Sequence, residues 1–402
     1  MTILRFLFCG IILAALAIPG WLTMMKPMTD SQVKNSMTER RRLVRFGQTA
    51  EAWPDIKLTV QTFGQAFDDQ LFARTEILQT VNGLLVEKAG HSTSDTILLG
   101  EDGYRFLMRS QNSKAFSQIP CAVPGGLDEA KRQLTIDNYI AFSNRVQKKG
   151  IQTHLVLIPT KSSIYLEKLP RYVHSKCVST ISPAINTIKQ LQAAGLSARY
   201  DLDWFRTQSA TDIFQPGSFH WVKAKSHIYA QFLYDSQQMG IPWNKLPSYE
   251  TRPIQSNAPA DISRHLGIKR KKKVFYEREY FWPTLELTRR HEFKDIKDRS
   301  ELLAKLNKSI GRFSRNTSPR QKKLLVVGDS FSRGLFAYWA STAGEAIFMS
   351  DSNAPYTPGI FDETISLFDA DMVVFVIEES KFAPIKSDNP AYQFATKLQP
   401  PE

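Results

Sequence analysis

Residues 323–334, Lys-Leu-Leu-Val-Val-Gly-Asp-Ser-Phe-Ser-Arg-Gly, leave this chain few ways to fold. Leu324 to Val327 is a short continuous apolar run rich in β-branched residues, the pattern of a strand buried on both faces. Gly328 stops the run. Asp329, Ser330 and Ser332 then precede a helix-like stretch from Leu335 to Ala343. Strand, tight turn and helix in succession put the Ser330 hydroxyl at the carboxyl end of a strand, where open α/β sheets bind their ligands. Backbone N–H groups at the start of the following helix are able to stabilise an oxyanion there. A bare Gly-Asp-Ser is also how a turn with a serine N-cap is written, so chemistry at Ser330 requires a partner elsewhere in the chain.

The candidate partner is His220, in Gly217-Ser218-Phe219-His220-Trp221, just ahead of a predicted helix. Histidine is the usual base for activating a serine hydroxyl, and it normally needs a third group to fix its tautomer. A histidine beside a tryptophan also serves as a packed or capping residue. Ser330 and His220 both lie in loops that open onto helices, which permits them to meet at one end of a sheet.

The rest of the chain supplies that sheet. Apolar residues at helical spacing predict helices over Phe63–Leu78, Leu127–Lys149, Ile181–Ala194 ending at Gly195, and Trp221–Met239 ending at Gly240. Ile97-Leu98-Leu99 and Tyr104-Arg105-Phe106-Leu107 flank Gly100-Glu101-Asp102-Gly103 in a hairpin-like pattern. Strands are predicted at His154–Ile158, Ala198–Leu202, Ala346–Met349 and Met372–Ile377, with a helix over Asp362–Leu367. Strands alternating with helices predict an α/β fold with a mainly parallel sheet. A hydrophobic fraction of 42%, with 25 Phe and 7 Trp, supplies an ample core.

Charge is unevenly placed. The formal net charge is +13, and 19 Lys/Arg against 7 Asp/Glu fall between Arg264 and Lys323. That stretch, about residues 264–323, reads as a basic insertion. It is either a solvated surface or a contact for an acidic partner: a polyanionic polysaccharide, anionic lipid headgroups or nucleic acid. Aromatic residues are not interleaved through it at regular spacing, which argues against nucleic acid.

At the amino end, Phe6 to Met25 is an almost uninterrupted apolar stretch behind Arg5, long enough to span a bilayer. Residues 1–26 are expected to be a signal anchor and 27–60 a polar stalk leading into a body over 61–402. Ala15-Leu16-Ala17 resembles a signal-peptidase site, so secretion after cleavage is the alternative. Cys9 lies in the apolar span. Cys121 and Cys177 in the body are either one disulfide in an oxidising compartment or two buried thiols. No Cys/His cluster has metal-ligand spacing, and no metal or cofactor is expected.

The ordered motifs resemble those of the alginate O-acetyltransferase AlgX/AlgJ family. Phe219-His220-Trp221 followed by Gly328-Asp329-Ser330-Phe331 matches that family's Asp-x-His-Trp and Gly-x-Ser, in that order. Glu39-Arg40-Arg41-Arg42-Leu43 is similar to its Glu-Asn-Arg-x-Leu, and Asp69 to Arg74 to its acidic-to-Arg helix segment. The Gly100 to Leu107 block is similar to Gly-x-Asp-Gly-Trp-Leu-Phe-Leu. Ile158-Pro159-Thr160-Lys161-Ser162-Ser163-Ile164-Tyr165, followed by Leu169-Pro170, is similar to Pro-x-Lys-x-x-x-Tyr, and Val373 to Glu378 to a closing strand ending in Glu. The resemblance implies an SGNH-hydrolase-like three-layer α/β sandwich behind a membrane anchor. It implies acetyl transfer onto an exported polysaccharide, with Ser330 as nucleophile and His220 as base. It also implies an acetyl donor relayed through a membrane-bound O-acyltransferase. The apolar amino end makes a periplasmic protein held at the inner membrane the expectation, and export argues against a nucleic-acid partner. Where the family has its Asp, this chain has Ser218, which is able to accept a hydrogen bond from the imidazole. Asp203, Asp212 and Asp329 are the candidate substitutes for the acid. A carbohydrate esterase using the same Ser330 and His220, or a polysaccharide-binding protein with a degenerate site, are the alternative readings.

Overall fold

The computed structural model describes residues 61–62, 65–66, 74–108, 119, 128–178, 183–208, 213–221, 223–235, 250–257, 262, 266, 268, 274–281, 285–289, 310–316, 322–351, 357–382 and 394–401. The expected anchor (1–26), the stalk (27–60), the Glu39–Leu43 motif, Cys9, Cys121, Asp212 and Lys269–Lys273 lie outside the described residues. Among the described residues, no helix is long and apolar enough to cross a membrane.

The chain divides into two compact units, Met1–Ile97 with Ala260–Lys271, and Leu98–Pro259 with Lys272–Glu402. In the first, α1 (Arg74–Glu87) runs on well past the Leu78 limit that the periodicity suggested. Thr93 Oγ1 donates to the Leu266 carbonyl at 2.8 Å, joining the two segments of this unit.

In the second unit, β1 (Ile97–Leu99) pairs with β2 (Arg105–Leu107) across the Gly-Glu-Asp-Gly turn, as the hairpin pattern predicts. There follow α2 (Glu129–Gln147), β3 (Gln152–Ile158), α3 (Lys161–Ile164), α4 (Arg171–Val178), α5 (Pro183–Ala193), β4 (Ser197–Tyr200), α6 (Leu202–Thr207) and α7 (Lys223–Asp235). Then come β5 (Glu250–Asn257), β6 (Val274–Phe281), β7 (Leu285–Arg289), β8 (Ile310–Asn316), β9 (Lys323–Gly328) and α8 (Phe336–Thr342). The chain closes with β10 (Glu345–Ser350), α9 (Ile360–Phe368), β11 (Met372–Glu378) and α10 (Phe394–Lys397).

Among the described residues, seven strands form the central sheet in the order β4-β3-β11-β9-β10-β8-β7. The first five are parallel, and β8 and β7 continue the sheet antiparallel. The fold is therefore α/β with a mainly parallel sheet. Alternate residues of the central strands face two separate cores. Val156, Val326, Phe348 and Val374 pack on one face with α6, α7 and α8. Leu155, Val327, Ile347 and Phe375 pack on the other with α2, α5 and α9. With helices over both faces, β9 and β11 are apolar at successive positions rather than alternating, as strands buried on both sides must be.

Local signals explain some element ends. Asp128 caps α2 by accepting from Lys131 N at 3.1 Å, and Gly150, at φ +80°, turns the chain after it. The strand expected over Ala198–Leu202 ends at Tyr200, because Asp201 is the N-cap of α6 and Leu202 begins it. β5, β6, β7 and β8 have no counterpart among the predicted elements. Within the basic stretch, β8 (Ile-Gly-Arg-Phe-Ser-Arg-Asn) buries Phe313 and Ser314 while Arg312 and Arg315 stay half-exposed. Arg315 meets Glu345 of β10 at 3.0 Å. The basic segment thus contributes two strands to the main sheet. Cys177 is buried and disulfide-bonded.

His154 on β3 is one of the polar residues buried inside the sheet. Its Nδ1 is hydrogen-bonded to Ser197 Oγ at 2.8 Å, and its Nε2 is buried with no partner. Burial disfavours the imidazolium and pushes the pKa down to about 4. The unfolded chain titrates near 6.5, so the unfolded state binds more protons between these values. The stability His154 contributes is complete above about pH 6.5 and is lost as pH falls through about 4, by roughly 3 kcal/mol in full. Urea midpoints measured from about pH 7.5 down to pH 4.5 should therefore fall less steeply in His154→Leu than in the parent.

Candidate active site

The four central parallel strands end on one edge, and each delivers a polar group there. Register places Gly328 opposite Val376 of β11 and Ser350 of β10. Past these ends come Asp329 and Ser330, Glu378 and Glu379, Asp351, and, from β3, Thr160 and Lys161. Ser330 is exposed, whereas Asp329, Lys161, Asp351, Glu378 and Glu379 are all buried.

The turn that presents Ser330 is tied internally. Asp329 Oδ1 accepts from Phe331 N at 2.9 Å, and its Oδ2 accepts from Glu378 N at 2.8 Å, binding the turn to the end of β11. Burial raises the Asp329 pKa, partly countered by these amides and by Lys381. Ser332 Oγ donates to the Asp329 carbonyl at 2.7 Å. Asp329 therefore braces the turn, and its carboxylate is directed at backbone amides.

His220 comes from the loop between α6 and α7. Its Nε2 lies 2.8 Å from Ser330 Oγ, a direct hydrogen bond between residues 110 apart in sequence. The imidazole sits beside Phe219 and Phe331, with ring centroids 4.1 and 5.3 Å away. Trp221 joins the two loops: its buried indole N–H donates to the Phe331 carbonyl at 3.1 Å. Trp221 also forms a bridge with Phe214 ahead of α7, where the sequence suggested it begins the helix.

The Ser218 hydroxyl is engaged with the His220 main chain. It donates to the His220 carbonyl at 3.1 Å and accepts from His220 N at 3.0 Å. A serine two residues ahead forms this compact side-chain turn readily. Asp203 is exposed in the first turn of α6, and Asp212 lies outside the described residues.

The Pro-x-Lys-x-x-x-Tyr block has a role that motif matching did not disclose. The buried Lys161 Nζ donates to the carbonyls of Arg105, Gln215, Pro216 and Ser218 at 3.0, 2.7, 2.8 and 2.9 Å. It also lies over the rings of Tyr104 and Phe106, at 5.0 and 5.5 Å. Tyr165 OH accepts from Phe214 N at 3.2 Å. Glu379 holds the start of the same block: Oε1 accepts from Thr160 N at 2.8 Å and from Ser163 Oγ at 2.5 Å, and Oε2 from Tyr200 OH at 2.5 Å. Next to Gly328, whose carbonyl accepts from Asp351 N, the Asp351 carboxylate meets Lys381 and Lys397 at 2.9 Å each. Burial opposes the Asp351 charge, but the two ammonium groups outweigh it and hold the pKa down at about 2. Among the described residues, no group of three His, Cys, Asp or Glu side chains is arranged to hold a metal.

No protein-family model matches this chain, and no curated protein matches it. Solved structures do. Bacillus cereus PatB1, in a structure with a sulfonyl adduct, superposes with a TM-score of 0.50 at 12% identity, over 74% of this chain and 97% of that one. Pseudomonas aeruginosa AlgX gives 0.48 at 12% identity, covering 75% of this chain and 65% of that one. The O-acetyltransferase domain of Pseudomonas putida AlgJ gives 0.46 at 16% identity, over 75% and 98%. AlgX and AlgJ, to which the sequence motifs were likened, are thus among the structural neighbours. The likeness to PatB1 is one of fold.

Gly328 is the tightest point of the site. A Cβ there would strike the Ser332 side chain and lie 2.7 Å from the Val376 carbonyl. Backbone at that distance cannot yield without moving β9 from β11. Gly328→Ala should lower unfolding stability by about 1–3 kcal/mol or more, read from denaturant midpoints, and should displace Ser330 from His220.

Proposed function

We propose that this protein is an acyl-transfer enzyme that carries an acetyl group on Ser330 and passes it to a hydroxyl of an exported polysaccharide. One observation carries the reading: the 2.8 Å hydrogen bond between His220 Nε2 and Ser330 Oγ, with the serine exposed at the carboxyl edge of a parallel sheet. In the productive tautomer the Nδ1 atom carries the ring proton and Nε2 accepts from Ser330 Oγ–H.

The reaction then runs in two halves. His220 takes the Ser330 proton as Oγ attacks the acetyl carbonyl of the donor. The tetrahedral adduct collapses, the bond to the donor oxygen breaks, and the imidazolium returns its proton to that leaving group. A sugar hydroxyl next gives its proton to His220 and attacks the acetyl-serine, forming the sugar ester and restoring Ser330. Backbone amides of the turn after β9 are the candidate oxyanion donors. The exposed serine suits a polymeric acceptor. The motif resemblance supports a donor relayed by a membrane-bound O-acyltransferase, with residues 6–25 holding the protein at the periplasmic face of the inner membrane. The basic stretch suits an anionic glycan or anionic headgroups.

The same Ser330 and His220 would serve a carbohydrate esterase in which water replaces the sugar hydroxyl. Where the family motif has an Asp, position 218 holds a serine whose hydroxyl bonds the His220 N–H and carbonyl. In the serine-protease triad, replacing the equivalent Asp by Asn lowers kcat by about 10⁴, so the group that fixes the His220 tautomer decides how fast this enzyme turns over.

PatB1, which shares this fold, carries a sulfonyl adduct, so a sulfonyl fluoride is a fitting first probe beside an activated acetyl ester. Intact-mass and peptide analysis of the full chain should find a single adduct on Ser330, none in Ser330→Ala, and labelling slowed by about 10²–10⁴-fold in His220→Ala. Labelling that survives Ser330→Ala would sink the reading. Acetyl-sugar yield in excess of free acetate separates the transferase from the esterase.

A further inference from the structure

We propose that Lys161 is a positioning residue of this site: its buried ammonium gathers the main chain of residues 215–218 and thereby sets where the His220 imidazole meets Ser330. The inference rests on the acyl-transfer reading of Ser330 and His220. It starts from an energetic demand. An ammonium withdrawn from water must be re-solvated by the protein, or burying it costs several kcal/mol. Lys161 is 4% exposed, and its three N–H donors face four carbonyls at 2.7–3.0 Å.

Those carbonyls are not scattered. Three belong to Gln215, Pro216 and Ser218, the stretch that ends two residues before His220. The fourth belongs to Arg105 of β2, whose own N–H returns to the Pro216 carbonyl at 3.0 Å. Ser218 continues the linkage. Its carbonyl accepts from Lys161, while its hydroxyl bonds both the N–H and the carbonyl of His220. A run of fixed points therefore leads from the ammonium to the residue that carries the base. In a serine triad the third member orients the imidazole through the ring. Here Lys161 orients it through the backbone.

A neutral side chain of similar length would leave those carbonyls without their shared donor, and the turn would relax. A displacement of about 1 Å at a reacting group is enough to cost about 10²-fold in rate. Substrate binding at an exposed serine would change little, so the loss falls on kcat. A merely structural lysine would behave differently: thermal stability would drop while kcat per folded molecule stayed the same.

The test uses the full chain as parent, Ser330→Ala, Lys161→Met, Lys161→Gln and Lys161→Arg, with p-nitrophenyl acetate turnover and sulfonyl fluoride labelling. Folded fraction is taken from circular dichroism, and amide hydrogen exchange is followed over residues 215–221. Expected is a kcat per folded molecule about 100-fold lower in Lys161→Met, with KM within about threefold. Ser330 sulfonylation should slow in proportion, the 215–221 amides should exchange faster, and Lys161→Arg should recover part of the rate. If Lys161→Met does not fold, Lys161→Gln carries the same comparison. An active parent whose kcat is within about twofold in both neutral variants would overturn the inference. A parent without Ser330-dependent labelling or turnover would instead defeat the acyl-transfer reading. The clamp would then be judged by exchange alone, supported by faster and overturned by unchanged exchange over 215–221.

Discussion

Because β3, β11, β9 and β10 are covered by helices on both faces, the interior of the sheet has little room for reactive groups. Leu324–Val327 and Met372–Ile377 are buried at every position, and their backbone groups are used in pairing. Polar side chains that must work are driven to the strand ends, and here they collect at the carboxyl edge. Four of the buried charges there are re-solvated by protein. Lys161 has carbonyls, Glu379 has hydroxyls and an amide, Asp329 has two amides, and Asp351 has two ammonium groups. Removing one partner from such a group leaves a buried charge uncompensated, the expensive case. The edge is consequently built from groups that hold one another in place.

Against that rigid edge, the one exposed member is Ser330. The contrast between it and its buried neighbour Asp329 comes from the turn itself. Asp329 spends both carboxylate oxygens on amides of the turn and of β11, which fixes the backbone and leaves the next side chain facing outward. The His220 loop is secured from three directions: Lys161 from below, Trp221 onto the Phe331 carbonyl, and Phe214 onto Tyr165 OH. The hydrogen bond between His220 and Ser330 is the small outcome of those larger attachments.

The parts of this architecture legible in the sequence were those with a strong local signal. The apolar run of β9, its stop at Gly328 and the pairing of Ser330 with His220 by type could all be read from residues alone. The order of parallel strands and helices followed from period and punctuation. Strands β5 to β8 were not legible. Polar and charged residues fill Leu285–Arg289 and Ile310–Asn316, and the charge surplus around them reads as a solvated insertion. Only antiparallel pairing with β10 makes Phe313 and Ser314 interior residues. The Ser218 turn onto the His220 main chain was not legible either, because a hydroxyl two residues away is able to reach the ring or the nearer backbone groups.

By itself the sequence determined which side chains have the chemistry: a serine after a buried strand and a histidine before a helix. Composition and spacing are local properties, and local properties suffice for that. The tertiary structure decided what those groups do to one another. Ser330 and His220 are 110 residues apart, and their 2.8 Å contact exists only because β9 and the α6–α7 loop end at the same edge. Lys161 became a clamp rather than a surface cation because four carbonyls from β2 and residues 215–218 converge where water is excluded. Such convergence depends on how separate segments are folded onto each other, and no window of sequence contains it.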